Sequence, residues 1–569
     1  MKNFRFEIVL YLLAASLAAV FRLTQLGSIP LGNLEASQAL QALKLFEGSN
    51  SPVSSSPLNL GLTGFIYYMF GSSNTAARLI PAVLGIFLVF APLLFKDRLG
   101  KGPAVILAFF LAVDPFLIFL SREAGSGMMA IFSVIFFLGV FLKGYSTWSG
   151  IFGTLSILSG PMAFPGIAAI SLSAIWGRSK ASDVENGDER RSWNKTNWKT
   201  ALIAAGITIL IAGLVFLKAP FLINGVGSVW VETIIGWNYL PGFTSQDILI
   251  KFIISILFLV PLAFLLGITG MVRGALKKNQ VNVFFMRWAL IALGIILIYP
   301  AHRVTDLAWV SIPLWAASSQ EINLWVHKPT LHKSVSYIFA AVCSVLFIFC
   351  GLKITNLLAY EPGSADYQLA LAGIALTLLM LAVAAFLIGW GWSRSASFFG
   401  LGIGMMVILS VFTLNMSRRA ANLGSLQAAN ILNPGPIPLE NELLVKTMND
   451  ISLQNKGITG DLDVSVIKLT DSNLTWAIRD FSNTSFVSSL AKNETPELVI
   501  TSANELLELP ASYRGQDFVQ AAEIPWSLLT WKEWLKWLIF GEAPTQKQFI
   551  VLWARNDLFP LGDSEIPNE

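Results

Sequence analysis

Glu35 is the only charged residue in PLGNLEASQALQAL, residues 30–43, a stretch that follows the first long apolar run of the chain, Phe6 to Phe21. Other ionisable residues gather at comparable places, at the ends of apolar segments: Arg78, Arg122, Glu123, Glu232, His302, Arg303 and Asp306. The apolar segments themselves hold almost no charge, with the exception of Asp114 in LAVDPFLIFLSRE. Carboxylates near arginines at a lipid–water boundary suit one chemistry. A carboxylate takes the proton of an attacking hydroxyl. Arginines hold a phosphate leaving group and stabilise its growing charge. A greasy body then binds a long lipid tail, as transfer of a sugar from a polyprenyl phosphate would require. On this reading Glu35 and Asp114 are the candidate catalytic groups, and Arg78, Arg122, Glu123, His302 and Arg303 the candidate substrate-binding groups.

Each candidate has a structural alternative. Glu35 sits where a helix dipole favours an acid. Asp114 precedes Pro115 and suits a polar cap at a kink, although an ionisable residue inside a membrane points to function by default. Arg78 and Arg303 stand where span-end anchors stand. Arg122 has Glu123 beside it as a local partner. Glu232 and Trp237 are possible acceptor contacts.

Composition sets the frame. The 569 residues are 54% hydrophobic and 13% charged, about half the charge of a soluble domain, and mean hydropathy is +0.63. Apolar runs of span length recur, which makes a polytopic membrane protein; nothing points to nucleic acid. The two cysteines, Cys343 and Cys350, lie seven residues apart in one apolar run, roughly 10 Å along a helix. That is too far for a disulfide, so they read as core packing. No zinc motif or nucleotide-sugar site is visible, and no metal or cofactor is expected.

Fourteen apolar segments occur, near 6–22, 57–70, 76–95, 103–120, 126–142, 147–159, 161–176, 199–217, 248–270, 284–300, 305–322, 335–352, 368–390 and 398–414. The basic clusters between them fall on the cytoplasmic side only if one segment before Lys96 does not span. The segment 57–70, PLNLGLTGFIYYMF, is too short and holds two glycines, so it reads as an interfacial helix. About thirteen spans remain. Lys2 and Arg5 ahead of the first run make it an uncleaved anchor with a cytoplasmic N-terminus. The polar loop 177–198, with Arg190, falls on the cytoplasmic side.

Beyond residue 415 the chain changes character. LDVSVIK (462–468), PELVITSA (496–503), DFVQAAEI (517–524) and QFIVLWA (548–554) read as strands, with helices near 439–455, 471–482 and 531–540. The expected organisation is therefore an all-α membrane unit over 1–415, with interfacial helices within 30–71, followed by a small α/β extracytoplasmic domain over 416–569. Trp531, Trp534 and Trp537 recur at three-residue spacing after Trp526. They suit a helix on the membrane interface or a sugar-stacking surface.

Three stretches resemble the multi-spanning glycosyltransferases of the GT-C fold, and within them glycosyltransferase family 39, the protein O-mannosyltransferases and the lipid A aminoarabinose transferases. They are LGSIPLGNLEASQALQAL, SPLNLGLTGFIYYMFGSSNTAARLIPAVLGIFLV and AVDPFLIFLSREAGSG. The resemblance implies a cell-membrane, multi-pass enzyme that takes a sugar from a polyprenyl-phosphate donor, with inversion, and passes it to a lipid, glycan or protein acceptor outside the membrane. It makes the first-loop acid pair the home of the general base. Here that pair reads Leu34-Glu35; Gly125 replaces the usual Arg, and Gly127 stands where some members carry a second acid. The resemblance also implies a late basic residue on the lipid phosphate, which His302 and Arg303 match. Two other functions compete. One is a non-catalytic GT-C relative that binds lipid-linked sugars or scaffolds envelope assembly, favoured by Leu34. The other is a lipid or polysaccharide transporter, a class that shows repeated halves and broken polar helices.

Overall fold

In a computed structural model the chain is described over residues 2–47, 56–181, 197–212, 228, 231, 233–235, 252–327, 333–423, 431–432, 435–491, 494–504 and 509–559. Glu232, Trp237, Arg190 and most of the loops 177–198 and 218–247 lie outside them. The first half holds α1 Lys2–Leu23, α2 Asn33–Phe46, α3 Pro57–Phe70, α4 Asn74–Leu88, α5 Pro92–Leu99, α6 Lys101–Val113, α7 Pro115–Arg122, α8 Gly127–Leu142, α9 Ser146–Leu158, α10 Ala163–Ala181 and α11 Trp198–Ile211. After a π-helical turn, Ser255–Leu259, come α12 Pro261–Leu276 and α13 Gln280–Ile298. A 3-10 turn, Val304–Leu307, leads into α14 Ala308–His327, followed by α15 Lys333–Ala359, α16 Ala365–Gly391 and α17 Arg394–Ala420. Among the described residues six helices are long and apolar enough to cross a membrane, or eight if each of two bent pairs is one span. Three shorter apolar helices stand beside them. Thirteen spans, the sequence expectation, exceeds that number.

The two short helices after α1 form as the sequence predicts. Gly32 N donates to Glu35 Oε2 at 3.1 Å, the backward half of a capping box that starts α2. The face that α2 buries is Ala36, Ala39 and Ala42, while Leu34 is 59% exposed. Alanines win because α3 comes very close: a Cβ on Gly64 would stand 3.3 Å from Ala42 O. Helix α3, 14 residues long, measures about 21 Å at 1.5 Å per residue, short of the roughly 30 Å of hydrocarbon. It buries Leu58, Leu60 and Tyr67 and exposes Phe65, Tyr68, Met69 and Phe70.

The tail forms a six-stranded sheet of order β1-β5-β6-β4-β2-β3. The strands are β1 Ile437–Pro438, β2 Val464–Ile467, β3 Thr484–Val487, β4 Leu498–Ser502, β5 Tyr513–Glu523 and β6 Gln546–Arg555, with helices α18 Asn441–Lys456, α19 Ser472–Ala477 and α20 Trp531–Phe540 among them. The β2–β3 and β2–β4 pairs are parallel, the others antiparallel. Four strands and three helices lie where the sequence places them; β1 and β3 are additional.

Two joints hold the tail against the bundle. In the first, Asn33 Nδ2 donates to Asp471 Oδ1 at 3.4 Å and Trp476 Nε1 to Asn74 Oδ1 at 2.9 Å. Gln520, at a bulge in β5, donates to the other Asp471 oxygen at 2.8 Å. In the second, the rings of Trp526, Trp534 and Trp537 pack on one another 5.4 to 5.7 Å apart inside the core that contains Met416 and Ala420 of α17. Arg419 caps this helix, donating to the carbonyls of Trp537, Leu538 and Ile539 at 2.8, 2.9 and 2.5 Å. A surface row of tryptophans is therefore not what forms. Only Trp531 points outward; the other three fill the joint, because α20 turns that side toward α17.

Candidate active site

Glu35 is held on every side. Its Oε1 accepts from Arg78 Nε at 2.8 Å and from Ala124 N at 2.7 Å. Its Oε2 accepts from Arg78 Nη2 at 2.7 Å and from Gly32 N at 3.1 Å. A carboxylate offers about four such positions, and all four are taken. Burial alone would raise its pKa, but Arg78 and the two backbone donors outweigh burial and hold it below the ordinary carboxylate value.

Arg78 is equally committed. Besides Glu35 it serves Leu26 O at 3.2 Å, Ile29 O at 2.7 Å and Pro30 O at 3.3 Å. Five bonds use the five donors of a guanidinium. Arg122 does the same for the end of α1: Nη1 donates to Phe21, Arg22 and Thr24 carbonyls and Nη2 to Gln25 O, at 2.8 to 3.2 Å. These carbonyls are the orphans that every helix end leaves. Both arginines therefore fix the chain between α1 and α2, which positions Glu35.

Asp114 lies at a break. The helices α6 and α7 meet there at 52°, and Asp114 Oδ1 caps α7 by accepting from Leu117 N at 2.8 Å. Oδ2 accepts from Trp315 Nε1 at 2.6 Å. The carbonyls that the break frees find donors as well. Arg22 donates to Leu111 O at 3.0 Å and Ala112 O at 2.9 Å, and Ser417 Oγ donates to Val113 O. Gly85 lets Arg22 pass, since a Cβ there would stand 2.6 Å from Arg22 Nε and 2.1 Å from Ser121 Oγ. Sequence reasoning missed Arg22; its signal is a lone cation in the last turn of the first apolar helix.

The remaining candidates are Glu123, Arg303 and His302. Glu123 follows α7, and its backbone is fixed: its N–H donates to Phe119 O at 3.0 Å, and its carbonyl accepts from Gly125 N at 2.8 Å. Among the described residues its carboxylate has no hydrogen-bond or ion-pair partner. Its pKa is pushed up to about 7: burial is the main cause, Glu35 and Asp306 add to it, and Arg303 and Arg78 pull the other way. Arg303 begins the 3-10 turn, where its N–H donates to Asp306 Oδ2 at 2.8 Å. The residue is exposed, and its guanidinium is unpartnered among the described residues. His302 Nδ1 donates to Tyr299 O at 2.5 Å, and its ring lies 4.9 Å from that of Phe252. A carbonyl only accepts, so Nε2 carries no proton in the neutral ring. The structure thus brings Glu35, Arg78, Glu123 and Arg303 into one electrostatic cluster at the end of the bundle that the tail covers. Asp114 belongs to the helix break.

No protein-family model matches the chain, and no curated protein does. Solved structures do. ArnT from Cupriavidus metallidurans bound to undecaprenyl phosphate superposes with a TM-score of 0.52 at 13% identity, over 97% of this chain and 99% of that one. The fold is that of the GT-C membrane glycosyltransferases. The apo state of the same ArnT gives a TM-score of 0.51 at 11% identity, over 97% of this chain and 98% of that one. The GT-C correspondence runs through bundle and tail alike. With the apolar helices, it makes the chain a multi-pass membrane protein of mostly helical architecture with a small sheet at its C-terminal end.

Proposed function

We propose that this protein is a membrane glycosyltransferase that moves a sugar from a polyprenyl-phosphate donor to an acceptor hydroxyl at the outer rim of the bundle. The carrying observation is the unpartnered guanidinium of Arg303 beside an acidic cluster, at the end of a lipid-facing bundle. Arg78 and Arg122 are taken up by Glu35 and by backbone carbonyls, which leaves Arg303, with His302, to receive a phosphate. The ArnT likeness supports the choice of lipid, since that protein is seen with undecaprenyl phosphate. On this reading residues 1–415 form the membrane unit and 416–569 lie outside the membrane, with the N-terminus in the cytoplasm.

A second reading has a specific observation behind it. Leu34 points outward where the resembling enzymes carry an acid, and Glu35 has no free acceptor position. A non-catalytic lipid-binding relative would show this too. A transporter has less support, because the groups freed at the Asp114 break are all paired within the protein. Turnover of undecaprenyl-phosphate-linked hexoses and pentoses by the purified full chain in lipid nanodiscs separates the first two. The transferase reading expects release of undecaprenyl phosphate with sugar appearing on an acceptor; binding without release from any donor supports the non-catalytic reading.

A further inference from the structure

The sequence points to Glu35 as the base, but the geometry points elsewhere. A base must present a lone pair to the incoming hydroxyl, and Glu35 presents none. Its bonds lead instead to the neighbouring loop, for Oε1 grips Ala124 N at 2.7 Å, the residue after Glu123. We infer that Glu123 is the proton acceptor of the transfer, and that Glu35, itself held by Arg78, is a positioning residue that fixes the Glu123 loop through Ala124 N. This rests on the transferase reading.

Three observations carry the assignment. The Glu123 backbone is pinned by Phe119 O, by Gly125 N and, one residue on, by Glu35. Glu123 is half-buried as a residue, and its carboxylate has no partner among the described residues. Gly125 keeps it uncovered: a Cβ at that position would already touch Glu123 Cγ and Cδ at 3.6 Å, so a longer side chain would reach over the carboxyl. The charged groups facing it are Glu35 from α2, Arg78 from α4, and Arg303 and Asp306 from the turn before α14. Their net effect, with burial, brings Glu123 near neutrality, where a general base works best.

The step balances. The acceptor oxygen forms a bond to the anomeric carbon as the bond from that carbon to the phosphate oxygen breaks. The bonding pair leaves with the phosphate, giving polyprenyl phosphate, and the hydroxyl proton passes to the Glu123 carboxylate. Arg303 is placed to receive the charge that grows on the phosphate.

The test uses the full chain in lipid nanodiscs, undecaprenyl-phosphate-linked hexoses and pentoses as donors, and rate measured against pH. Glu123→Gln is expected to lose about 10²- to 10⁴-fold in kcat, to keep its affinity for undecaprenyl phosphate, and to lose the fall in rate below neutral pH. Glu35→Gln is expected to retain that fall in whatever activity survives. Gly125→Arg places a guanidinium over Glu123 and should lower kcat and move the fall in the remaining rate to lower pH, which gives a second reading if Glu123→Gln folds poorly. Wild-type-like turnover by Glu123→Gln, or disappearance of the pH limb in Glu35→Gln instead, overturns the Glu123 assignment and leaves the transferase reading standing. Wild type that neither binds undecaprenyl phosphate nor transfers sugar overturns both.

Discussion

Glu35 and Arg78, 43 residues apart, meet through two hydrogen bonds of 2.8 and 2.7 Å, and this pair ties the first loop to the start of α4. Removing one partner strands a buried charge, which typically costs about 3–5 kcal/mol. Arg78→Ala should therefore melt several degrees below wild type in detergent. Because the Glu35 pKa is lowered, the stability it gives is present above its unfolded value of 4.5 and is lost as pH falls through its folded one. The melting gap between wild type and Glu35→Gln should accordingly be wide at neutral pH and close on acidification. A gap that does not change with pH contradicts the pairing.

Glu123 behaves in the opposite sense. Its folded pKa of about 7 lies above the ordinary 4.5, so its favourable contribution is complete below 4.5 and is lost as pH rises toward 7. Between those values wild type should lose stability relative to Glu123→Gln. Parallel melting curves for the two across that window would place Glu123 in an ordinary solvated setting.

Asp114 is expected to act on folding. Asp114→Ala removes a helix cap, worth about 0.5–2 kcal/mol, and leaves the buried Trp315 N–H without its acceptor, about 1–3 kcal/mol more. Melting temperature should drop, while turnover per folded molecule stays within a few-fold. A loss of turnover a hundredfold or larger, with unchanged melting, would return Asp114 to the chemistry.

Arg419 gives the tail its hold on α17. Arg419→Ala takes a donor from the carbonyls of Trp537, Leu538 and Ile539 near the end of α20 and should raise hydrogen exchange across 531–540 and speed proteolytic release of the tail. Unchanged exchange there would mean that the Trp526, Trp534 and Trp537 packing alone suffices.

The helical run was legible because apolar periodicity reports burial locally, and the tail strands were legible for the same reason. Strands of two and four residues, β1 and β3, carry too little pattern to be seen. Which face α2 buries was not legible, because hydrophobicity alone cannot show that it needs small residues against Gly64. The tryptophan spacing was visible, but its direction depends on α17, more than a hundred residues away. At the site the sequence names charged residues at segment ends, and it cannot show which of their donors and acceptors are already used. Glu35 looked like a base and Arg122 like a substrate ligand because both are charged and near loops. Which donors and acceptors are already used depends on backbone carbonyls at residues 21–30 and on one N–H at Ala124, and no residue type encodes those partners. Arg22 went unnoticed for the same reason.

The most direct measurement is the affinity of the full chain for undecaprenyl phosphate in nanodiscs, compared between Arg303→Ala and Arg394→Ala. Arg303 carries an unpartnered guanidinium at the rim that holds the acidic cluster, whereas Arg394 starts α17, a helix whose other end carries Ser417 and Arg419 to the break and the tail. A charged hydrogen bond to phosphate is worth roughly 1.5–3 kcal/mol, about ten- to a hundredfold in Kd. Arg303→Ala should weaken binding by that factor and Arg394→Ala by less than twofold. Equal effects of the two substitutions, or undiminished binding without Arg303, would contradict a lipid-phosphate site at this rim.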